Sequence, residues 1–322
     1  MKMRGSETFT ALWLTLTYRC TVACQHCLVE AAPYKRELIR PEIARDWLLQ
    51  AKGYRAGTIR EVIFTGGEPF YDAQLLRNLS DFAAMHGLRV TAATNAFWAS
   101  SLEDADRMMK SLPFVSLLRV STDQYHQKSI PLDHVRNAVD AARMNGRLVT
   151  LEACVDSRRG AAYKALMAEL AELANPSEIR VHLAYPIGRA LCYSGAFNYI
   201  RSPECPDSPC PMGGAPAVFP DGGVFGCIGP VIRIPGSHPL YLGSLREEPL
   251  ADILERAEGN PVLRAIRVWG PKRLVSLLRQ GGFTGVLPES WIQGSPCGVC
   301  HSLFSRPEAL GALETLHAVR AC

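Results

Sequence analysis

The sequence predicts an α/β fold: a parallel sheet with helices outside it, followed by an extension of different texture. Three observations carry this. Strand-like and helix-like patterns alternate about six times in roughly the first 185 residues, and parallel strands need such crossovers. Several strands turn a polar face, which a sheet covered on both sides would not do. After Pro186 the alternation stops, and residues 186–240 become rich in Pro and Gly.

Taken in order, Thr10–Thr17 reads as a strand, with Leu12, Leu14 and Leu16 on one face and Trp13, Thr15 and Thr17 on the other. Pro41 opens a helix that turns Ile43, Trp47 and Leu48 to one side; proline suits a first turn, where its missing N–H would be unpaired anyway. Glu61–Thr65 is a short strand that runs into Gly66-Gly67-Glu68-Pro69. Leu75, Leu79, Phe82 and Ala83 mark a helix stopped near Gly87. Strand Leu88–Thr94 and helix Leu102–Leu112 follow, the latter opened by Ser101 with Asp104. Strand Phe114–Ser121, helix Leu132–Asn145 and strand Leu148–Val155 come next. Helix Ala161–Leu173 and strand Glu178–Ala184 complete the run. Beyond Pro186, Pro220-Asp221-Gly222-Gly223 between two short apolar runs predicts a hairpin. Helices are expected over Pro249–Glu258, Val262–Trp269, Lys272–Gln280 and Pro307–Arg320.

The strand faces point to a cavity. Thr150, Glu152, Cys154 and Asp156 oppose Val149, Leu151, Ala153 and Val155; Arg180 and His182 oppose Ile179, Val181 and Leu183; Arg119, Ser121 and Asp123 share a face. A curved sheet lining a polar cavity explains this pattern. Periodicity by itself leaves an incomplete barrel and a doubly wound sheet equally open.

Bulk properties exclude several classes. With 35 basic and 31 acidic residues among 322, the charge is balanced and scattered, which argues against a nucleic-acid partner. No apolar run reaches the roughly 18 residues of a membrane span, and Met1–Thr10 has no secretory core. A cytoplasmic protein is expected. In a reducing compartment, eleven cysteines suggest metal binding or thiol chemistry rather than disulfides.

Three of them stand within eight residues, Cys20-x3-Cys24-x2-Cys27, directly after the first strand. Structural zinc takes four ligands, and a nearby fourth is lacking. Together with the Gly-Gly-Glu-Pro turn and the β/α repeat, this spacing resembles the radical S-adenosylmethionine (SAM) superfamily over about residues 10–190. The resemblance implies an incomplete (β/α)6 TIM-like barrel. It implies that Cys20, Cys24 and Cys27 hold a 4Fe–4S cluster whose open iron takes SAM, with His26 in the aromatic slot. It further implies SAM contacts from Gly66, Gly67, Glu68 and Pro69, with Glu68 facing the SAM ammonium. Asn95, Ser121 and Asp123 match positions that contact the methionine or ribose. Arg189, in Pro186-Ile-Gly188-Arg189-Ala190, matches a turn near the adenine. Strand capping and a surface ion pair are the plain alternatives for these last residues.

A second set, Cys210-x16-Cys227 and Cys297-x2-Cys300, resembles the SPASM or twitch auxiliary-cluster module in its one-cluster form. It implies a second 4Fe–4S cluster; a four-cysteine zinc site would use the same spacing. Cys205 competes with Cys210, because Pro206, Pro209 and Pro211 stiffen that stretch. On this reading residues 1–190 are the barrel and 191–322 the auxiliary extension.

Four cysteines remain: Cys154, Cys192, Cys205 and Cys322. A thiol near the substrate could return a hydrogen atom to a carbon radical, so Cys154 and Cys205 are candidate catalytic residues, with Asp123, Glu152 and His182 as candidates for substrate contact or proton removal. Tyr125 and His126 lie in the same polar run. The expected activity is hydrogen-atom abstraction from a natural product, an aminocyclitol sugar or a ribosomal peptide, giving dehydrogenation or epimerisation. About ten residues precede the first strand, so no N-terminal peptide-recognition domain is expected, which favours a small substrate. A flavodoxin or ferredoxin is the expected reductant. The rival readings are a cross-linking peptide maturase, a methyltransferase or lyase of the same chemistry, and a zinc-stabilised binding protein.

Overall fold

The computed structural model of the protein describes residues 8–207, 210 and 213–316. The chain forms two compact units. One is Trp13–Lys52 with Arg60–Asn198; the other takes Gly53–Ile59 and the chain from Tyr199 onward, with the residues up to Leu12.

In the first unit, strands β1 (Ala11–Thr15, from Trp13 on), β2 (Glu61–Thr65), β3 (Arg89–Thr94), β4 (Val115–Ser121), β5 (Leu148–Val155) and β6 (Ile179–Leu183) lie side by side in chain order. From β2 to β6 every pairing is parallel. Helices α1 (Pro41–Gly53), α2 (Ala73–Met85), α3 (Leu102–Ser111), α4 (Leu132–Met144) and α5 (Ala161–Ala171) make the crossovers. Local chemistry sets their ends. Ser101 accepts the Asp104 N–H at 3.1 Å and starts α3, as its sequence predicts. Gly87 and Gly146 follow α2 and α4 at φ +75° and +71°, where a side chain would be strained. Leu75, Leu76, Leu79 and Ala83 of α2 are buried, as are Val62, Phe64, Val90 and Ala92 of the strands, so the core lies between helices and sheet. The α/β fold with an open parallel sheet is the fold the alternation called for.

The second unit is built from short pieces. Strands β7 (Arg201–Ser202), β8 (Ala217–Val218), β9 (Gly223–Phe225), β10 (Tyr241–Ser244) and β11 (Trp291–Ile292) pair antiparallel, β8 with β9, β9 with β10, and β7 with β11. The Asp-Gly-Gly hairpin is present between β8 and β9, with Asp221 accepting the Gly223 N–H at 3.0 Å. Helices α6 (Leu250–Glu258), α7 (Pro261–Trp269), α8 (Lys272–Gln280), α9 (Pro296–Phe304) and α10 (Pro307–Thr315) complete it. The expected extension of the last helix to Arg320, and Cys322, lie outside the described residues. Sequence periodicity did not foresee that Gly53–Ile59 would join this unit. There Arg55 pairs with Glu255 at 2.6 Å and Glu258 at 2.8 Å, and Tyr54 is buried.

Candidate functional site

The site is built at the C-terminal ends of the strands of the first unit. The chain leaving β1 passes directly into the loop that carries Cys20, Cys24 and Cys27, and two glycine turns hold that loop from opposite ends. On one side Gly67 donates to the Thr17 carbonyl at 2.6 Å and Glu68 N–H to the Arg19 carbonyl at 2.8 Å. A Cβ on Gly66 would sit 2.5 Å from the Thr17 oxygen, and one on Gly67 would overlap the Arg19 carbonyl. Glycine is therefore required by backbone approach, not by the turn alone. On the other side Gly188, at φ +57°, has the Cys27 and Leu28 carbonyls 2.7 and 2.5 Å from where its Cβ would be.

Arg189 completes the second hold. Its backbone N–H donates to the Cys27 carbonyl at 3.2 Å, and its guanidinium donates to the carbonyls of Cys24 at 2.9 Å and Ala31 at 2.7 Å. It braces the loop backbone, and among the described residues it makes no ion pair. Beneath the loop, Cys20, Val22, Ala31 and Ile130 form an apolar base against which Cys24, Cys27 and Phe97 pack.

Glu68 is fully buried. Its carboxylate accepts from Phe70 N–H at 3.1 Å, Thr94 Oγ1 at 2.9 Å and Asn95 N–H at 2.7 Å. It thus ties the glycine turn to the end of β3, a use the sequence did not reveal. Burial lifts it to about 7, against those hydrogen bonds. Asn95 donates from Nδ2 to Thr21 Oγ1 at 3.2 Å and points the same group at Cys20 Sγ, 3.7 Å away. Ser121 ends β4, partly exposed on the inner face.

Asp123 is the hub of the opposite wall. It is fully buried, and its oxygens accept the N–H groups of Tyr125 at 2.9 Å, His126 at 3.1 Å and Cys154 at 2.9 Å. His126 Nδ1 lies 2.9 Å from the same carboxylate. Burial would raise Asp123, yet His126 outweighs it and holds the acid well below its usual range. His126 is raised in turn, and hydrogen-bonds Cys24 as well. His26 packs tilted against Tyr125 and edge-on against His126, with ring centroids 4.8 and 4.9 Å away. Burial lowers it to about 4, and its Nδ1 is enclosed without a hydrogen-bond partner. A buried, unsatisfied ring nitrogen beside three thiols marks a place where a bound group would supply the missing contact.

Below this level, the inner face of β4–β6 carries a charged network. Glu152 meets Arg119 at 2.9 Å and His182 Nε2 at 2.7 Å, and Thr150 donates to it at 3.1 Å. Arg119 also lies over the Trp13 ring at 4.9 Å. The alternating strand faces foretold the face but not Arg119 and Trp13 as partners. Cys154 sits on this face directly across from His182. Its thiol is raised by burial and by the negative groups around it, Asp123 and Glu152 first.

Burial and the Glu68 carboxylate push Cys20 up to about 12, and Cys27 is raised by burial while accepting the Ala31 N–H at 3.3 Å. A cationic centre bound by these thiols would displace their protons and stabilise the thiolates. Beside the loop, His26, Asp123 and His126 bring three possible ligand atoms within 4.8 Å of one another.

The second unit holds the other set. Cys210, Cys227, Cys297 and Cys300 line one pocket, walled by Val231, Leu240, Leu263, Ile266 and prolines. Cys205 does not line it. Ser295 caps α9 at Gly298 N–H, 3.0 Å, so Cys297 and Cys300 stand on the first turn of a helix, whose positive end favours thiolates. Gly229 N–H donates to Cys227 Sγ at 3.4 Å, and a Cβ there would lie 3.5 and 3.8 Å from the sulfurs of Cys227 and Cys297. Burial followed by the neighbouring thiols raises Cys227, Cys297 and Cys300. Cys192 is exposed and belongs to neither group.

Comparison with known proteins fits this geometry. Residues 14–155 match the family described as the Radical SAM superfamily. Over 305 residues, 92% of each chain, the sequence is 24% identical to a protein of Bacillus subtilis (strain 168) called putative peptide biosynthesis protein YydG. The fold is similar to Streptococcus suis SuiB, crystallised with S-adenosylmethionine, at TM-score 0.54 and 14% identity; 77% of this chain is covered, and it spans 65% of SuiB. A structure of anSMEcpe with bound AdoMet matches at TM-score 0.49 and 13% identity, over 76% of this chain and 80% of that one.

Proposed function

We propose, from the premise that residues 14–155 form a radical SAM superfamily domain, that this enzyme modifies a peptide by abstracting a hydrogen atom from it. The three-thiol loop, clamped at both ends, is the observation that carries the chemistry. With a 4Fe–4S cluster and SAM bound, such a loop supplies a 5′-deoxyadenosyl radical. Cys20, Cys24 and Cys27 would hold the cluster. Backbone of the Gly66–Gly67 turn, Asn95, and the His26–Asp123–His126 group surround the place SAM would take. Glu68 and Arg189 keep that surround in shape. The substrate class rests on the similarity to a protein named for peptide biosynthesis, which outweighs the preference for a small natural product drawn from the short N-terminal segment.

The second cysteine set is read as an auxiliary 4Fe–4S site held by Cys210, Cys227, Cys297 and Cys300. The pocket common to all four supports it, and Cys210 rather than Cys205 is the first ligand on that reading.

Within peptide modification, epimerisation has a particular observation in its favour. Cys154 is a protonated thiol on the inner face, across from His182, whose Nε2 is fixed by Glu152. A thiol, unlike a thiolate, can hand a hydrogen atom to a carbon radical. The test is turnover in deuterium oxide with SAM, dithionite and a panel of ribosomal precursor peptides and aminocyclitols. We expect 5′-deoxyadenosine to form faster with a peptide, and one solvent deuteron to enter that peptide. Acceleration by an aminocyclitol alone would overturn the substrate class. Undiminished deuterium entry in Cys154→Ala would overturn the role of that thiol.

A further inference from the structure

Strand β6 ends the parallel run with one side unpaired. It pairs with β5, from Leu151↔Ile179 to Val155↔Leu183, and among the described residues no strand pairs with its other side. One bond fixes the direction of its backbone groups: Ala184 N–H donates to the Val155 carbonyl at 2.8 Å. In a parallel pair the N–H and C=O of one residue point the same way, and successive residues point oppositely. Arg180, His182 and Ala184 therefore face β5, while Ile179, Val181 and Leu183 turn their backbone groups outward. Consistent with this, the Arg158 guanidinium donates to the Val181 carbonyl at 2.7 Å. The Ile179 N–H is taken by the Pro176 carbonyl. The N–H groups of Val181 and Leu183 have no acceptor among the described residues.

An open sheet edge is a liability that proteins blunt with short strands and charged side chains. Strand β6 has both devices: it is 5 residues long, and Arg180 and His182 are exposed on it. The charge there is of one sign. Arg158 and Arg180 make no ion pair among the described residues. The neighbouring carboxylates are already engaged, Glu178 by Arg143 at 2.9 Å and Glu152 by Arg119 and His182. On the opposite face of β6, Ile179, Val181 and Leu183 are apolar and half-buried.

We infer that the outer edge of β6 takes an extended segment of the peptide substrate as an added strand. The inference rests on the reading of the substrate as a peptide. Main-chain hydrogen bonds give such a segment its hold, and alternate side chains give it specificity. Carboxylates on the Arg180 side and apolar residues on the other match the two faces, so the docked segment alternates acidic with apolar residues. An added strand lies about 4.8 Å beyond β6 and thus about 10 Å from β5, where Cys154 stands across from His182. About three extended residues span that distance. The modified residue therefore lies within a few positions of the docked segment.

The experiment uses the ribosomal precursor peptides of the turnover test with the reconstituted full-length protein. For a peptide that accelerates 5′-deoxyadenosine formation, Val181→Pro removes one outward N–H and should raise the peptide KM about tenfold; Val181→Ala keeps that N–H and should not. Arg158→Glu with Arg180→Glu should raise KM by about tenfold or more. Arg77→Glu with Arg136→Glu, the same charge change on exposed positions of α2 and α4, should not. In the wild type, amide exchange at Val181 and Leu183 should slow when the peptide is added. Equal KM in the two Val181 variants, equal loss in the two charge reversals, or unchanged exchange at both amides would each overturn the inference. If no peptide accelerates the reaction, the substrate reading falls and this inference with it; normal peptide turnover in every β6 variant overturns the inference alone. Iron content tells a lost edge from a lost fold, and where Val181→Pro loses iron, the charge reversals and the exchange measurement decide.

Discussion

The two cysteine sites differ less in their thiols than in what surrounds them. Around Cys20, Cys24 and Cys27 an apolar base of Val22, Ala31 and Ile130 meets polar groups, Asp123, His126 and Asn95, and the ring nitrogen of His26 in the loop is left without a partner. Around Cys210, Cys227, Cys297 and Cys300 the walls are leucine, isoleucine, valine and proline. Three thiols among polar groups leave a position for an organic ligand and supply its hydrogen bonds. Four thiols in an apolar pocket close on whatever they bind. On the function proposed above, three cysteines go with a reactive centre at the first site and four with an electron-handling one at the second.

The sharpest way to break this contrast is to remove one thiol from each site. Cys24→Ala should abolish 5′-deoxyadenosine formation, by about a thousandfold or more; persistence would remove the first site from the chemistry. Cys300→Ala should instead lower iron from about eight to about four per chain while SAM cleavage with dithionite survives. Equal loss of cleavage in the two variants would erase the difference.

A smaller effect concerns the clamp on the first site. Gly67→Ala forces a Cβ into the Arg19 carbonyl and should cost about 1–3 kcal/mol. Thermal unfolding should show it as a fall of several degrees, with iron lost from the first site before the second. An unchanged melting temperature would mean that the turn yields.

The smallest effect is electrostatic. Burial raises Glu68 to about 7 from an ordinary 4.5. A carboxyl raised on folding stabilises the folded state when it is protonated. That contribution is complete below about pH 4.5 and is lost as pH rises through 7. Metal-free wild type should therefore lose stability relative to Glu68→Gln across that window. Parallel curves would show that Glu68 titrates normally.

Much of this was legible in advance, for reasons that can be named. The alternating elements, the Ser101 cap and the Asp-Gly-Gly hairpin follow from local periodicity and turn chemistry, and these survive tertiary context. The position of Cys154, Glu152 and His182 on one face follows from the two-residue period of strands. Other features depend on residues far apart in sequence. Arg189 reads as part of a turn near the adenine, and its hold on the loop carbonyls 158 and 165 residues away shows only in the fold. Glu68 reads as a ligand for a cation, and the three internal donors that also tie it to the end of β3 show only in the fold. Arg119 becomes part of a network only when Trp13 comes beneath it. The place of the Gly53–Ile59 segment depends on Glu255 and Glu258, which nothing local announces.

The clamp also has a consequence in time. One wall of the cysteine loop is made by residues 66–68 and the other by residues 188–189. A chain emerging from the ribosome has the thiols early, one wall soon after and the other only once β6 has been made. A cluster delivered before then would meet a loop gripped at one end. The order of synthesis therefore sets the earliest moment at which metal loading can find a finished mould.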